Sequence, residues 1–438
     1  MTPNAIDWPA VHAEALEILV RYLRIDTSNP PGNEAPAARY LGGLLEAEGI
    51  ACEYIETAPG REAVTARLGG DGSKRALLLA NHLDVVPVEA EYWDVPPFEG
   101  VVRDGRVIGR GAVDMKGCGV MQLIALLLLH RRGVPLQRDV VFLAVPDEEI
   151  GSDLGMRWIL DHRPELLAGV EFALNEGGSG ITEFAGREGP IFMPSVDEKR
   201  IGWLRLRATG PSGHGSLPHP DNSAVRLLRA LIRLADWDRG LTFSPGTTAL
   251  VERLAEAGAL PSAAARGTLE AALRSDPAAH AMFVNTLNVT IVESGIKTNV
   301  IPARSEAVLD CRLLPGETIE GWIEAVRARI DDPRVEVEPE VRDIAGGEPS
   351  DWDSPLFHAI RAVIGEAVED SIVVPGLATL ATDNRFLREH GIPAYGFIPC
   401  LLSVEERAGF HAHNEFLTVD NLEMGCELMY EIVRRVCT

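Results

Sequence analysis

Two kinds of apolar pattern alternate over the first 175 positions of this chain. Residues 10–25 and 37–48 carry apolar side chains at helical spacing. The first run ends in the loop Asp26-Thr27-Ser28-Asn29-Pro30-Pro31-Gly32 and the second stops at Gly49. Residues 76–86, 139–145 and 170–174 are short, continuous apolar runs, and residues 117–132 form a helix stopped by Gly133. Buried strands separated by helices predict a mostly parallel α/β sheet covered on both faces. Residues 394–399 repeat the strand pattern, and residues 422–436 predict a closing helix.

The middle of the chain reads differently. Residues 203–209, 287–292, 307–313 and 335–341 have strand character, and residues 222–235 and 319–330 have helical spacing. Their βαββαβ order predicts a small two-layer, antiparallel, ferredoxin-like α+β unit. An extra segment, 242–282, looks helical and polar and precedes the second of these strands. With boundaries near Val196 and Arg342, an α/β domain of residues 1–196 and 343–438 is interrupted by an inserted domain of residues 197–342.

A length of 438 residues suits such a two-domain arrangement. The formal net charge of −24 argues against nucleic acid or an anionic membrane as the main partner. Residues 1–10 lack a basic start followed by an apolar run, and the longest apolar stretch, 123–129, is too short to cross a bilayer. Six scattered cysteines without a CxxC pair predict reduced thiols and a cytoplasmic protein.

The chemistry-bearing residues cluster after the apolar runs. His82 and Asp84, two apart, would share one side of a strand end. Asp114 lies in the loop Gly109-Arg110-Gly111-Ala112-Val113-Asp114 that opens a helix, where an N-cap is the plain alternative. Asp147-Glu148-Glu149 sets three carboxylates side by side, which repel unless protons or cations relieve them. Asn175-Glu176-Gly177 places a lone acid at a strand end, and His411-Ala412-His413-Asn414-Glu415 adds imidazoles. Open α/β sheets bind ligands at the carboxyl ends of their strands. A mixed imidazole and carboxylate set there suits zinc or a similar divalent ion.

Taken in order, these motifs resemble the family of aminoacylase, carboxypeptidase S, acetylornithine deacetylase and succinyl-diaminopimelate desuccinylase, metallopeptidase family 20 of clan MH. Gly213-His214-Gly215-Ser216 and Asn299-Val300-Ile301-Pro302 extend the match over nearly the whole chain. The resemblance implies two divalent metal ions, zinc by default and cobalt or manganese as substitutes. Asp114 would bridge them, with His82 and Glu176 completing one site and Glu149 and His411 the other. Asp84 would orient the ring of His82, Glu148 would be the general base, and a cis peptide is implied at Asp114–Met115. His214 would stabilise the oxyanion from the inserted domain of a partner subunit, so a homodimer built through that lid domain is implied. Asn299 and Arg312 match substrate-contacting positions of the lid, and Arg385, in Ala381-Thr382-Asp383-Asn384-Arg385, is a second candidate for gripping a substrate carboxylate.

Within the family, Asn175-Glu176-Gly177-Gly178 and the extra segment 242–282 look most like carboxypeptidase S and the N-acyl amino acid hydrolases. The expected substrate is therefore an N-acyl amino acid or short peptide with a free C-terminal carboxylate. A deacetylase or desuccinylase, an aminopeptidase and a non-catalytic binding protein are the competing readings.

Overall fold

The computed structural model describes residues 6–340 and 346–438. A ten-stranded sheet dominates it. Its main path runs Cys52–Ala58, Arg61–Leu68, Val140–Val145, Ala76–His82, Val170–Phe184, Ala394–Leu402, Ser195–Glu198 and Gly376–Ala378. The central strands pair in parallel: Ala76–His82 with Val140–Val145 and Val170–Phe184, and Val170–Phe184 with Ala394–Leu402. Every residue of Ala76–His82 and of Val140–Val145 is buried. That explains why these strands read as continuous apolar runs, without alternation.

The helix Lys116–Arg131 is buried along almost its whole length, from Lys116 to Leu129. It lies between the sheet and the terminal helix Val419–Cys437. At Gly425 a Cβ would stand 2.5 Å from Met121 Sδ, so that helix pair depends on a missing side chain. The single large core on this face also takes in Trp8–Leu23, Ala35–Ala47 and Pro355–Ala367.

A separate sheet contains the strands Thr286–Ser294, Arg304–Leu313, Leu204–Thr209 and Val335–Pro339 in that spatial order, all antiparallel, with Arg200–Ile201 also on Arg304–Leu313. The helices Ser223–Ala235 and Ile319–Ile330 cover one face and share its own apolar core. This is the βαββαβ arrangement expected from the pattern, and Arg304–Leu313 alternates buried and half-buried positions as a one-faced strand should. The boundary placed at Arg342, and the end of the strand at Val341, lie outside the described residues.

Two local readings change. The run 170–174 is only the start of a strand that continues to Phe184, so Glu176 sits inside it, not at its end. Pairing with Ala394–Leu402 shifts register beyond Gly396, where Gly177 and Gly178 let the backbones crowd. A Cβ on Gly396 would stand 2.2 Å from the Glu176 carbonyl oxygen. The segment 242–282 is also not a polar appendage. Its helices Pro245–Glu256 and Arg266–Ser275 bury Leu250, Val251, Leu254, Leu269 and Leu273 against Ile181, Ile191 and Leu377 of the large sheet. Sparse apolar residues at helical spacing are enough once one face has a partner. Among the described residues no helix is long and apolar enough to cross a membrane.

Candidate metal centre and cavity

His82 ends its strand, Glu148 and Glu149 follow the next strand across Pro146, and Glu176 lies where the third strand bends. Asp114 and His411 arrive on loops. A three-stranded sheet of Val101–Arg103, Arg106–Ile108 and Phe416–Thr418 ties those loops together. The Asp114–Met115 peptide is cis.

Asp114 stands at the middle of the cluster. Its Oδ1 is 3.2 Å from His82 Nε2 and its Oδ2 is 3.1 Å from His411 Nε2. His82 Nε2 is also 3.5 Å from Glu176 Oε1, and His411 Nε2 is 3.3 Å from Glu149 Oε2. His82, Asp114 and Glu176 could hold one ion, and Asp114, Glu149 and His411 a second. His413 turns away instead, to Glu89 and the ring of Tyr92.

The electrostatics fit a divalent cation. Burial and the charge of Asp114 push Glu176 up to about 8, and burial raises Glu149 and Glu148 above the ordinary carboxylate range. Burial also opposes ionisation of Asp114, but hydrogen bonds from His411 and His82 hold its carboxyl below the ordinary range. Hydrogen bonds to Asp114 and Glu149 raise His411 to about 10. Glu149 Oε1 is buried without a hydrogen-bond partner. A lone pair aimed into a crowd of carboxylates is costly unless a cation meets it.

Behind these groups stands a charged scaffold that motif reading missed. The Asp84 carboxylate accepts from Glu148 N at 3.1 Å, Glu149 N at 3.2 Å and Asn29 Nδ2 at 2.8 Å. The His82 ring nitrogen Nδ1 bonds the Asp84 main-chain carbonyl at 3.0 Å, with the carboxylate 3.6 Å away. Asp84 therefore grips the glutamate loop as much as the ring expected of it, because the strand ends at His82 and turns Asp84 inward. Asp147 has φ 74° and accepts from Arg61 Nη2 at 2.7 Å, Asn29 Nδ2 at 3.2 Å and Leu154 N at 2.9 Å. Arg61 pairs in turn with the buried Glu34. Glu415 does the same for the Asp114 loop, accepting from Gly111, Val113 and Asp114 N–H groups and from Arg110 Nη1 at 2.7 Å. A charged Arg61 opening a buried strand and Asn29 in a proline loop were the available signals.

A cavity of about 950 Å³ opens from this cluster. Glu148, Arg312 and Arg385 line it. Arg312 is committed to a bidentate pair with Asp310, at 2.8 and 3.1 Å. The guanidinium of Arg385 has no hydrogen bond or ion pair among the described residues, although Arg385 is only 6% exposed and its Nε is fully buried. His214 and Asn299 do not reach the cavity in a single chain. His214 is exposed and bonds Ser216 Oγ at 2.6 Å, and exposed Asn299 lies beside Gly215.

A mostly parallel sheet whose strands and adjoining loops bring together two imidazoles and three carboxylates has the make-up of an α/β metalloenzyme with room for two ions. The profile of peptidase family M20/M25/M40 matches residues 78–435, and this chain belongs to that family. It is 30% identical over 385 residues to human N-fatty-acyl-amino acid synthase/hydrolase PM20D1, covering 84% of this chain and 76% of that protein. It is 28% identical over 408 residues to human aminoacylase-1, covering 89% and 88% of the two chains. Among solved structures, the M20 family metallo-carboxypeptidase Sso-CP2 from Sulfolobus solfataricus shares the fold with a TM-score of 0.72 at 22% identity, covering 97% of this chain and 99% of that one.

Proposed function

We propose that this enzyme hydrolyses the amide bond of N-acyl amino acids, or of short peptides that end in a free carboxylate, with two divalent ions, zinc by preference. The observation that carries the reading is Asp114, whose two carboxylate oxygens face different imidazoles. His82, Asp114 and Glu176 would hold one ion, and Asp114, Glu149 and His411 the other. Bound there, the ions would polarise the scissile carbonyl and acidify a water. Glu148, on the cavity wall beside them, takes the water's proton and returns it to the leaving amine. Asp84 keeps the backbone of Glu148 and Glu149 in place while that proton moves.

The unpaired guanidinium of Arg385 favours a substrate carboxylate over a substrate amine, because a planar fork binds carboxylates in bidentate fashion. The two relatives, an N-fatty-acyl-amino acid synthase/hydrolase and an aminoacylase, agree with an acylated amino acid. Arg312 joins the grip by releasing Asp310. Of the inserted residues 197–342, the antiparallel unit with its own core acts as a lid and dimerisation domain, while 242–282 packs on the large sheet. The outer strand Thr286–Ser294 leaves Val289, Ile291 and Val292 exposed, and Ser223–Ala235 leaves Val225, Leu228 and Ile232 exposed. An apolar edge of this kind suits pairing with a second copy, which would bring His214 and Asn299 to the partner's cavity. A cytoplasmic setting completes the reading, supported by five buried, unpaired thiols.

The test is metal analysis with a substrate panel, before and after chelation, alongside Glu148→Gln. Amide hydrolysis of N-acyl amino acids should be lost on chelation, return with zinc, and be absent in Glu148→Gln. Cleavage confined to free-amine peptides would refute the substrate, and activity surviving both treatments would refute the mechanism.

A further inference from the structure

Three of the crossings that carry the chain between the large sheet and the antiparallel unit meet beside the cavity. At the first, Lys199 separates the two sheets. Its N–H donates to the Ala378 carbonyl of the large sheet at 2.9 Å, and the next residues, Arg200 and Ile201, already pair with Leu313 and Arg312. At the second, Met282 and Phe283 end in the core shared with Ile181 and Leu377, and Thr286 opens a strand of the antiparallel sheet opposite Arg312. At the third, Leu314 leaves the strand of Arg312 for the same core, and its N–H donates to Asn285 Oδ1 at 2.7 Å.

One side chain fastens the first two crossings together. Lys199 is fully buried, and its ammonium donates to the carbonyls of Ala281 and Val284, at 3.1 and 2.9 Å, and to Thr286 Oγ1 at 3.1 Å. Three protons meet three acceptors, so the hydrogen bonds of the group are complete and its position is fixed. A cation is an expensive choice here. Burial, and after it the charges of Arg312 and Arg239, push Lys199 down to about 7, which Asp310 offsets only in part. Apolar neighbours such as Met282, Phe283 and Leu314 pack this junction without that cost. Stability alone therefore does not account for a lysine.

What Lys199 secures is the root of Arg312. In its sheet Arg312 lies between Ile201, two residues from Lys199, and Thr286, whose hydroxyl Lys199 holds. Through Lys199 both neighbours are tied to Ala378 and to the end of the helix Pro277–Ala281, which pack with the large sheet. Lys199 and Arg312 stand in the same cavity wall. We propose that Lys199 is a positioning residue that fixes the strand segment of Arg312 where the two sheets join, so that the guanidinium, once it leaves Asp310, meets the substrate's carboxylate, an assignment that rests on the reading of Arg312 as part of the carboxylate grip. Lys199 acts through Arg312 and makes no bond to the substrate. A displacement of about 1 Å at that root would be carried to the guanidinium, enough to lose a charge-assisted hydrogen bond.

The experiment measures KM and kcat of the metal-loaded full chain on one N-acyl amino acid and on its carboxyl-amidated form. The variants are Lys199→Met, Thr286→Val and Arg312→Leu, with each of the first two also combined with Arg312→Leu. Arg312→Leu should raise KM for the carboxylate substrate about tenfold or more. Lys199→Met should raise it about fivefold to tenfold and Thr286→Val about threefold, with kcat moving less than KM and little change on the amidated substrate. On top of Arg312→Leu, either variant should change KM by less than about 1.5-fold, because the group being positioned is gone. Thr286→Val removes one acceptor and keeps the shape of the side chain, so it decides the outcome if Lys199→Met folds poorly. A merely structural lysine would raise KM for both substrates alike, or add its full effect to Arg312→Leu. Either result, or an unchanged KM in both Lys199→Met and Thr286→Val, would overturn the role of Lys199 and leave the grip of Arg312 standing. If Arg312→Leu itself leaves KM unchanged, Arg312 has no part in the grip, and the role of Lys199 falls with it while hydrolysis at the metal centre stands.

Discussion

Replacing Arg61 by leucine should lower both stability and turnover, although Arg61 is not one of the proposed ligands. Its side chain is 8% exposed and bridges Glu34 and Asp147, whose side chains are 0% and 4% exposed. Removing one partner of a buried ion pair costs about 3–5 kcal/mol, because the remaining charge has neither water nor a partner. With about 2.1 cal/mol/K of unfolding entropy per residue, a cooperative unit of 438 residues loses about 1 °C in Tm per kcal/mol. The expected drop is thus about 3–5 °C by differential scanning calorimetry. The deficit should shrink at low pH. Burial already raises the Glu34 carboxyl, and without Arg61 it rises further. A carboxyl raised in the folded state binds its proton more tightly there, so stability is recovered as pH falls towards that pKa. Asp147 precedes Glu148, so loosening it should also cost about 100-fold in kcat, the usual penalty of a misplaced catalytic group. Arg61→Lys keeps the charge without the fork and should fall between. A Tm within about 1 °C of wild type, together with an unchanged kcat, would refute this account.

Three other outcomes are expected. Arg385→Met should raise KM for carboxylate substrates about 10–100-fold, the value of one or two charge-assisted hydrogen bonds; equal loss on substrates amidated at the carboxyl end would contradict it. Asp197, half-buried on the cavity wall, is pushed up to about 6, chiefly by burial. It therefore binds its proton more tightly when folded, and Asp197→Asn should stabilise the protein by about 1 kcal/mol above pH 6, the gain fading as pH falls towards 4, as denaturant titrations at both pH values would reveal. Metal removal should lower the Tm as well as activity, since an ion bound only by the folded state stabilises it by mass action; a Tm unaffected by chelation and by added zinc would argue against a bound ion.

Much of this protein was determined by local sequence. Runs buried on both faces must be continuously apolar, so the parallel strands were visible, as was the alternation of Arg304–Leu313 on a sheet with one covered face. His82, Asp114, Glu149, Glu176 and His411 stood in a loose acidic and imidazole cluster after the apolar runs, and the order of the motifs, through the family they resemble, gave each its role as a ligand. The tertiary structure alone decided what those residues share. Asp114 meets His82 across 32 positions and His411 across nearly 300, and the small sheet ties the Asp114 and His411 loops together. The same holds for Arg61, Asn29 and Glu34, whose local signals are weak and which matter because folding buries Arg61 and Asn29 against Asp147 and Glu34 against Arg61. It holds again for residues 242–282, whose sparse apolar positions gain meaning from the large sheet they cover. Local pattern reports which side of an element faces the core. Which charges meet there depends on chain segments far apart in sequence, and that is settled only when burial forces each charge to find a partner.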